Sequence, residues 1–255
     1  MASYEPQVPY AITQFEFDVL VPIQIFGIDV SFTTSAQAMV TTTILVAFFM
    51  IFGMRKQAMV PGRLQSAVES VYVFVARTVI KTAGPEAQHT IPFVFTLFVF
   101  ILFGSLLGLT PVKFTLTSHL VVTLALSLTV FIYVNTLAVR RQGMGFFNIF
   151  LPAGTPLYLA PLLIVIEVIS YLFRPITLGV RIFANILAGH IMIKLFADFS
   201  VMMTEALGAV GVGISLLPVT MMVVLYGFEV MIFLVQAYIF ILITSLYIRD
   251  ALHGH

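Results

Sequence analysis

The sequence predicts an all-α integral membrane protein that forms a single domain, with about five membrane-embedded helices. Of its 255 residues, 60% are hydrophobic and only 9% are charged, whereas soluble domains carry about 25% charged residues. Five stretches are apolar enough to cross a bilayer, which takes about 20 residues of helix. Ionisable side chains inside these stretches crowd into the last two, which are also the longest.

The five predicted spans are Ala36–Met54, Thr90–Val112, Phe114–Val139, Pro161–Phe196 and Pro218–Ile248. At 1.5 Å per residue the last two would reach about 54 Å and 46 Å. The hydrocarbon core of a bilayer is only about 30 Å thick. We therefore expect both helices to be strongly tilted, kinked or continued outside the bilayer, and Pro175 is a predicted kink in the first of them.

The linker Val60–Ala87 between the first two spans has the pattern of an amphipathic helix. Its apolar positions repeat at helical spacing, at Val68, Val71, Val75 and Val79. Such a helix can lie along the membrane surface. A short solvated helix is the alternative that the sequence leaves open.

Basic residues, which concentrate in cytoplasmic loops, predict the orientation. They cluster between spans one and two, directly after span three and after span five, at Arg55, Lys56, Arg63, Arg77, Lys81, Arg140, Arg141 and Arg249. We expect residues 1–32 to form an extracytoplasmic arm rather than a targeting segment. Residues 33–248 would hold the membrane helices, and residues 249–255 a cytoplasmic tail.

Several classes of function are disfavoured by composition. The net charge of +1 implies no attraction to nucleic acid. The chain has no cysteine, its histidines lack metal-ligand spacing, and no nucleotide-binding loop is present. We therefore expect no metal, no cofactor and no catalytic site, with the lipid bilayer as the surrounding partner. A soluble enzyme is excluded.

The fourth span carries a line of polar residues. At about 100° per residue, a narrow stripe contains Glu167, Arg174, Arg181 and Asn185. His190 falls on nearly the opposite face, so Arg181 and His190 are predicted to serve different surfaces. A charge at mid-bilayer costs about 2.5–3.5 kcal/mol on insertion scales and usually faces a partner or water. A merely packed helix contact would not require Arg181.

The fifth span places Glu229 and Gln236 on one face, because seven residues make about two turns, or about 10.5 Å. With spans four and five antiparallel, Glu229 is predicted to pair with His190. Gln236 is predicted to lie near Asn185 or Arg181. A His–Glu pair can exchange protons near neutral pH, which suits a proton path. A purely structural hydrogen bond is the alternative.

These residues carry a family resemblance. PITLGVRIFANILAGHIMIKLF at 175–196 and EVMIFLVQAYIFILITSLYI at 229–248 resemble subunit a of the F-type ATP synthases, and SLLGLTP at 105–111 is similar to that family's turn after its second span. The resemblance implies long, tilted helices that face a ring of c subunits, with b-type peripheral stalk subunits as further partners. It implies a bacterial inner membrane more readily than the mitochondrial one.

The resemblance also assigns roles by position. Arg181 matches the family's essential arginine, Asn185 its neighbouring asparagine and Gln236 its glutamine on the last helix. His190 and Glu229 match two positions whose residues are exchanged in some relatives. The remaining matches concern the channel lining: Glu167 near the inner half-channel, and His119, Arg174 and Ser105 as possible lining residues, with Ser105 standing where many relatives have Asn.

The implied mechanism is a stator that passes protons through two offset half-channels to and from carboxylates on the c-ring. Arg181 would stand between the half-channels and prevent leak, and ATP chemistry would belong to other subunits. Two other functions are compatible with the composition: a stand-alone channel or secondary transporter, and a structural subunit of a respiratory complex. The first is disfavoured because no inverted repeat is visible.

Overall fold

The computed structural model describes residues 19–22, 24, 25, 28, 29, 31–55, 58, 61–109, 119–143 and 160–253. Five helical segments in them are long and apolar enough to cross a membrane, which confirms the predicted fold class. The helices are α1 (Thr34–Met54), α2 (Arg63–Ala83), α3 (Ile91–Leu107), α4 (Leu120–Gln142), α5 (Pro161–Gly208) and α6 (Val210–Leu252). A 3₁₀ helix, Pro85–Thr90, leads into α3 and belongs to the second span.

The predicted N-terminal arm contains short strands that the sequence analysis did not anticipate. The strands are β1 (Val19–Val21), β2 (Gln24–Ile25), β3 (Ile28–Asp29) and β4 (Phe32–Thr33). They form two antiparallel pairs, β1 with β4 and β2 with β3. Thr33 then caps α1, because its hydroxyl oxygen accepts a hydrogen bond from the Ala36 amide at 3.5 Å. The rest of the arm lies outside the described residues.

The amphipathic linker is confirmed as helix α2. Its predicted apolar stripe is buried at Val68, Val75 and Val79, and the helix contacts α1, α3 and the α5–α6 segment. The helix stops at Gly84, whose φ of 90° is a conformation that favours glycine. The stripe therefore anchors α2 to the other helices, while Leu64 and other apolar side chains remain exposed.

The core is centred on α3, which contributes more buried side chains than any other described helix except α6. Val94, Val99 and Ile101 of α3 are almost fully buried, as are Ile182 of α5 and Phe240 of α6. By contrast α1 exposes most of its apolar side chains. Because α1 carries no charged side chain, the apolar surface that it exposes is a surface that lipid or neighbouring subunits cover.

The last two helices are longer than predicted. They have 48 and 43 residues, about 72 Å and 64 Å at 1.5 Å per residue. The only non-helical backbone angles within Ala160–His253 are at Gly208, with φ 56° and ψ −130°, where the chain reverses from α5 into α6. Helical angles continue through Pro175 and Pro218, so the predicted kink at Pro175 produces no break in the helix.

Two contacts fix how α5 and α6 sit against α4. A Cβ at Gly179 would lie 2.9 Å from the Ser127 hydroxyl and 3.0 Å from the Thr123 carbonyl oxygen, so glycine allows α5 to approach α4 closely. At the other end of α4, the Gln142 side chain donates to the carbonyl oxygens of Asp250 and Ala251, at 3.2 and 2.8 Å. α4 thus packs against both long helices.

Candidate functional site

The first cross-helix pair joins His190 of α5 to Glu229 of α6. His190 Nδ1 lies 3.2 Å from Glu229 Oε1, and the Glu229 side chain is only 2% exposed. Neither oxygen of this carboxylate has a hydrogen-bond partner among the described residues, so the contact with His190 is a close approach at ion-pair distance. The predicted pair is therefore present as a contact, in a site where an unpartnered charge would be costly.

Glycine at position 189 makes room for this pair. A Cβ at Gly189 would lie 2.8 Å from Glu229 Oε1 and 3.3 Å from its carboxyl carbon. Contacts this short require the carboxylate to move. Gly189 therefore sets where the Glu229 carboxylate lies relative to the imidazole next to it in the chain.

The second cross-helix pair joins Asn185 to Gln236. The Asn185 side-chain amide donates to the Gln236 side-chain oxygen at 2.8 Å. Gln236 is buried, at 4% exposure. This decides between the two partners that the sequence allowed for Gln236, in favour of Asn185. Together with the His190–Glu229 pair, it confirms that α5 and α6 are antiparallel with the predicted register.

Arg181 lies one helical turn from Asn185, and its side chain is exposed. It forms no ion pair with any residue in the described part of the chain. His190, in contrast, is turned inward toward Glu229. The prediction that Arg181 and His190 serve different surfaces of α5 is thus confirmed as geometry.

A third polar cluster surrounds Arg174, near the start of α5. Its guanidinium lies 3.9 Å from Glu167 and over the rings of Tyr171 and Tyr247, at 5.1 and 5.4 Å from their centroids. The Tyr171 hydroxyl donates to the side-chain oxygen of Asn135 on α4. The guanidinium therefore has both an anion and two aromatic faces to stabilise its charge.

A cavity of about 20 Å³ adjoins this cluster and is lined by Ser127, Tyr171, Arg174 and Tyr247 among others. An ordered water needs about 10–15 Å³, so the cavity is large enough for one. Glu167 and Arg174 were predicted from the sequence, whereas the two tyrosines and Asn135 were not. Tyr171 could have been predicted, because it lies three positions before Arg174, on the same face of the helix.

His119 and Ser105 lie at helix ends on other elements. His119 precedes α4 and is 7% exposed, and Ser105 lies in the last turn of α3 and is 1% exposed. Residues 110–118, which connect them, are outside the described part of the chain. Burial of both side chains fits a polar lining, and their place in a channel stays a prediction.

The fold and these pairs define a class: a multi-pass membrane protein with polar and charged side chains paired between its two longest helices. The family model described as "ATP synthase A chain" matches residues 36–249. The relative from Parvibaculum lavamentivorans, named ATP synthase subunit a, is 46% identical over 95% of this chain and 93% of its own length. Relatives of the same name from Maricaulis maris and Mesorhizobium japonicum are 43% and 46% identical, over 96% and 95% of this chain and 98% and 96% of their own.

The chain belongs to the ATP synthase A chain family. It is therefore a non-catalytic membrane subunit of an ATP synthase, within the proton-translocating F0 part of that complex and alongside its other subunits. The bacterial relatives support a cell inner membrane location. This assignment excludes the stand-alone transporter and the respiratory-complex subunit.

Proposed function

We propose that the chain is the stator half of a rotary proton path, with two offset half-channels that load and unload carboxylates on a ring of c subunits. The observation that carries the proposal is the division of α5 into two surfaces. His190 faces inward to Glu229 at 3.2 Å, while Arg181 is exposed. A path that ends at the ring needs an inner relay and an outward-facing charge.

The outer half-channel is assigned to His190 and Glu229, with Asn185 and Gln236 next to them and His119 and Ser105 as further lining. A buried carboxylate paired with an imidazole holds one proton between two sites that exchange it readily near neutral pH. Removing either partner leaves the other group without its compensating contact. The Asn185–Gln236 amide pair supplies donors and acceptors between this relay and Arg181.

Arg181 is assigned to the barrier between the half-channels. A guanidinium remains charged at physiological pH, so it cannot carry the proton itself. With no anionic partner in the described part of its own chain, it needs a carboxylate from another subunit at membrane depth. A c-ring carboxylate that has released its proton into the inner half-channel would meet that need. The attraction must stay modest, so that the carboxylate can move on and take up a new proton from the outer half-channel.

The inner half-channel is assigned to Glu167 and Arg174, with Tyr171 and Tyr247. The water-sized cavity beside them supports a hydrated exit. This assignment puts the inner half-channel on the side of the basic loops, with the N-terminus outside and the C-terminus in the cytoplasm. The b-type stalk subunits would hold the chain against the torque of the ring.

The test of two half-channels uses the absence of cysteine from the chain. We expect His190→Cys to react with a charged, membrane-impermeant thiosulfonate only in right-side-out vesicles, and Glu167→Cys only in inverted vesicles. The thiolate is the reactive form, so each site must be wet from one side. Mass analysis of the labelled chain from the assembled complex gives the result.

Leu172→Cys is the control for wetting, because Leu172 is an exposed apolar side chain between the two test positions. It should react from neither side. Reaction of His190→Cys and Glu167→Cys from the same side would contradict two offset half-channels, and so would labelling of neither.

Gly189 offers a second test, because an added methyl group must push the Glu229 carboxylate away from its place. We expect Gly189→Ala to lower ATP-driven proton pumping roughly tenfold, since two side chains in contact are coupled by about 0.5–3 kcal/mol and 1.4 kcal/mol is a factor of about ten. Gly227→Ala is the matched control, since its Cβ would meet nothing within 4 Å. If both variants lost the same amount of proton pumping, the proposed role of Gly189 in positioning Glu229 would be wrong.

A further inference from the structure

A much larger cavity lies away from the polar pairs, between α1, α2 and α3. Its volume is about 520 Å³, within the range of about 300–1,000 Å³ that is typical of small-molecule sites. Its walls are apolar, with Val46, Met50 and Met54 from α1 and Phe95 and Val99 from α3. The cavity is long enough in one direction to follow α1 for two turns, since Val46, Met50 and Met54 are spaced four residues apart.

One carboxylate lies in this apolar wall. Glu69 of α2 accepts a hydrogen bond from the Gln65 side chain at 2.7 Å, and Gln65 also bonds the backbone of Ala58. Glu69 has no cationic partner among the described residues. A carboxylate accepts up to about four hydrogen bonds, so Glu69 retains capacity for a donor from outside the chain. An apolar pocket with one such anion fits an amphiphile that carries a cationic donor.

Two basic residues lie close in the chain to residues of the cavity wall. Arg55 directly follows Met54 of the wall, and Arg63 is the first residue of α2; both are exposed. An anionic group held near these two residues and an ammonium group held at Glu69 would complement the charges on the protein. The membrane supplies molecules of this kind, and α1 next to the cavity has the exposed apolar side chains that lipid can cover.

We propose that the cavity between α1, α2 and α3 is a binding site for an aminophospholipid of the phosphatidylethanolamine type. An acyl chain packs along Met50, Met54 and Val99. The primary ammonium group donates to Glu69, and the phosphate faces Arg55 and Arg63. Phosphatidylglycerol lacks the ammonium group, so it would place only an uncharged alcohol at Glu69 and is expected to bind more weakly.

The experiment uses phosphatidylethanolamine and phosphatidylglycerol with the same photoactivatable group in one acyl chain. Each is added to membranes that contain the assembled complex, and labelled peptides of this chain are quantified by mass spectrometry after illumination. We expect the peptides with Met50, Met54 and Thr96 to be labelled about fivefold more by phosphatidylethanolamine, the ratio expected for one partly exposed charge pair.

Glu69→Gln is the sharpest variant, because glutamine keeps an oxygen that accepts the Gln65 hydrogen bond but loses the charge. We expect it to bring the labelling ratio of the two lipids to about one. Thr96→Phe should fill the cavity and reduce labelling by both lipids, since Thr96 lines it and is exposed. Thr129→Phe is its control, an exposed threonine of α4 with the same backbone hydrogen bond four residues back.

Equal labelling of the unmodified chain by both lipids would overturn the proposal, because it would mean ordinary lipid contact. Cross-links from the cavity wall to another subunit would overturn it as well, since a protein would then occupy the cavity. If Glu69→Gln left the ratio of labelling by the two lipids unchanged, the role of Glu69 would be only to hold Gln65. The proposed selectivity for the ammonium group would then be wrong. Labelling is read out without proton pumping, so the result is independent of the proposed proton path.

Discussion

Arg181→Ala is expected to abolish ATP-driven proton pumping while the complex remains assembled. The side chain is exposed and has no ion-pair partner in the described part of the chain, so its removal leaves neither a core cavity nor an unpaired carboxylate of this chain. Passive proton leak should persist or rise, because the charge that repels protons between the half-channels is gone. Proton flux into inverted membrane vesicles, with and without ATP, measures both effects.

Two further variants make this result specific. Arg181→Lys should lose most of the pumping, since desolvation lowers the pKa of a lysine readily and a guanidinium resists deprotonation. Arg249→Ala should pump as the unmodified chain does, because Arg249 is exposed and its pair with the neighbouring Asp250, at 3.5 Å, is a surface ion pair of small energetic weight. Undiminished pumping by Arg181→Ala would contradict the proposed mechanism and leave Arg181 as an anchoring residue.

The site could be predicted from the sequence to the extent that it depends on helical periodicity. The spacing of seven between Glu229 and Gln236, set against the residues of α5 in an antiparallel direction, predicted the His190–Glu229 pair and placed Gln236 near Asn185 or Arg181. Periodicity also separated Arg181 from His190. It could not choose between Asn185 and Arg181 as the partner of Gln236, because that choice depends on the axial rotation of α6, which packing decides.

Contacts that depend on packing between helices could not be predicted. The Tyr171–Asn135 hydrogen bond joins α5 to α4, and neither residue is ionisable in a way that demands a partner at membrane depth. The space that Gly189 leaves for Glu229 likewise requires the interhelical distance. A glycine in an apolar helix indicates close approach, but not which side chain fills the space.

Helix ends were predicted less well than helix positions, for a physical reason. The predicted fourth span stopped at Phe196, before Asp198 and Glu205, because charge marks the end of a membrane segment. The helix continues to Gly208, since backbone hydrogen bonding does not require apolar side chains once the helix leaves the hydrocarbon. Hydropathy therefore predicts which part of a helix crosses the bilayer. The helix itself ends where Gly208 adopts a positive φ.

Glu229→Gln is expected to lower proton pumping at least tenfold without loss of assembly. Glutamine has nearly the same volume and keeps an oxygen that can accept a hydrogen bond from His190, so the packing against Gly189 is retained. It cannot take up a proton. Glu205→Gln, at an exposed position of α5, is the matched control and should pump normally. Proton pumping in vesicles from the two variants distinguishes a relay from a structural hydrogen bond. If the role of Glu229 is only structural, Glu229→Gln should pump normally.

The exchange of both residues tests whether the pair acts as one unit. His190→Ala alone leaves the Glu229 carboxylate buried without its partner. Breaking a buried ion pair costs about 3–5 kcal/mol of stability when the remaining group stays charged. The carboxylate would therefore be held protonated and would take no part in the relay. His190→Glu combined with Glu229→His restores one carboxylate and one imidazole at the 3.2 Å contact. We expect the exchanged chain to pump severalfold faster than His190→Glu alone or Glu229→His alone. These three variants and the unmodified chain form a double-mutant cycle, which measures the coupling between the two side chains. A doubly substituted chain no faster than its single variants would show that the two positions act separately, with Glu229 relaying protons through a group other than His190.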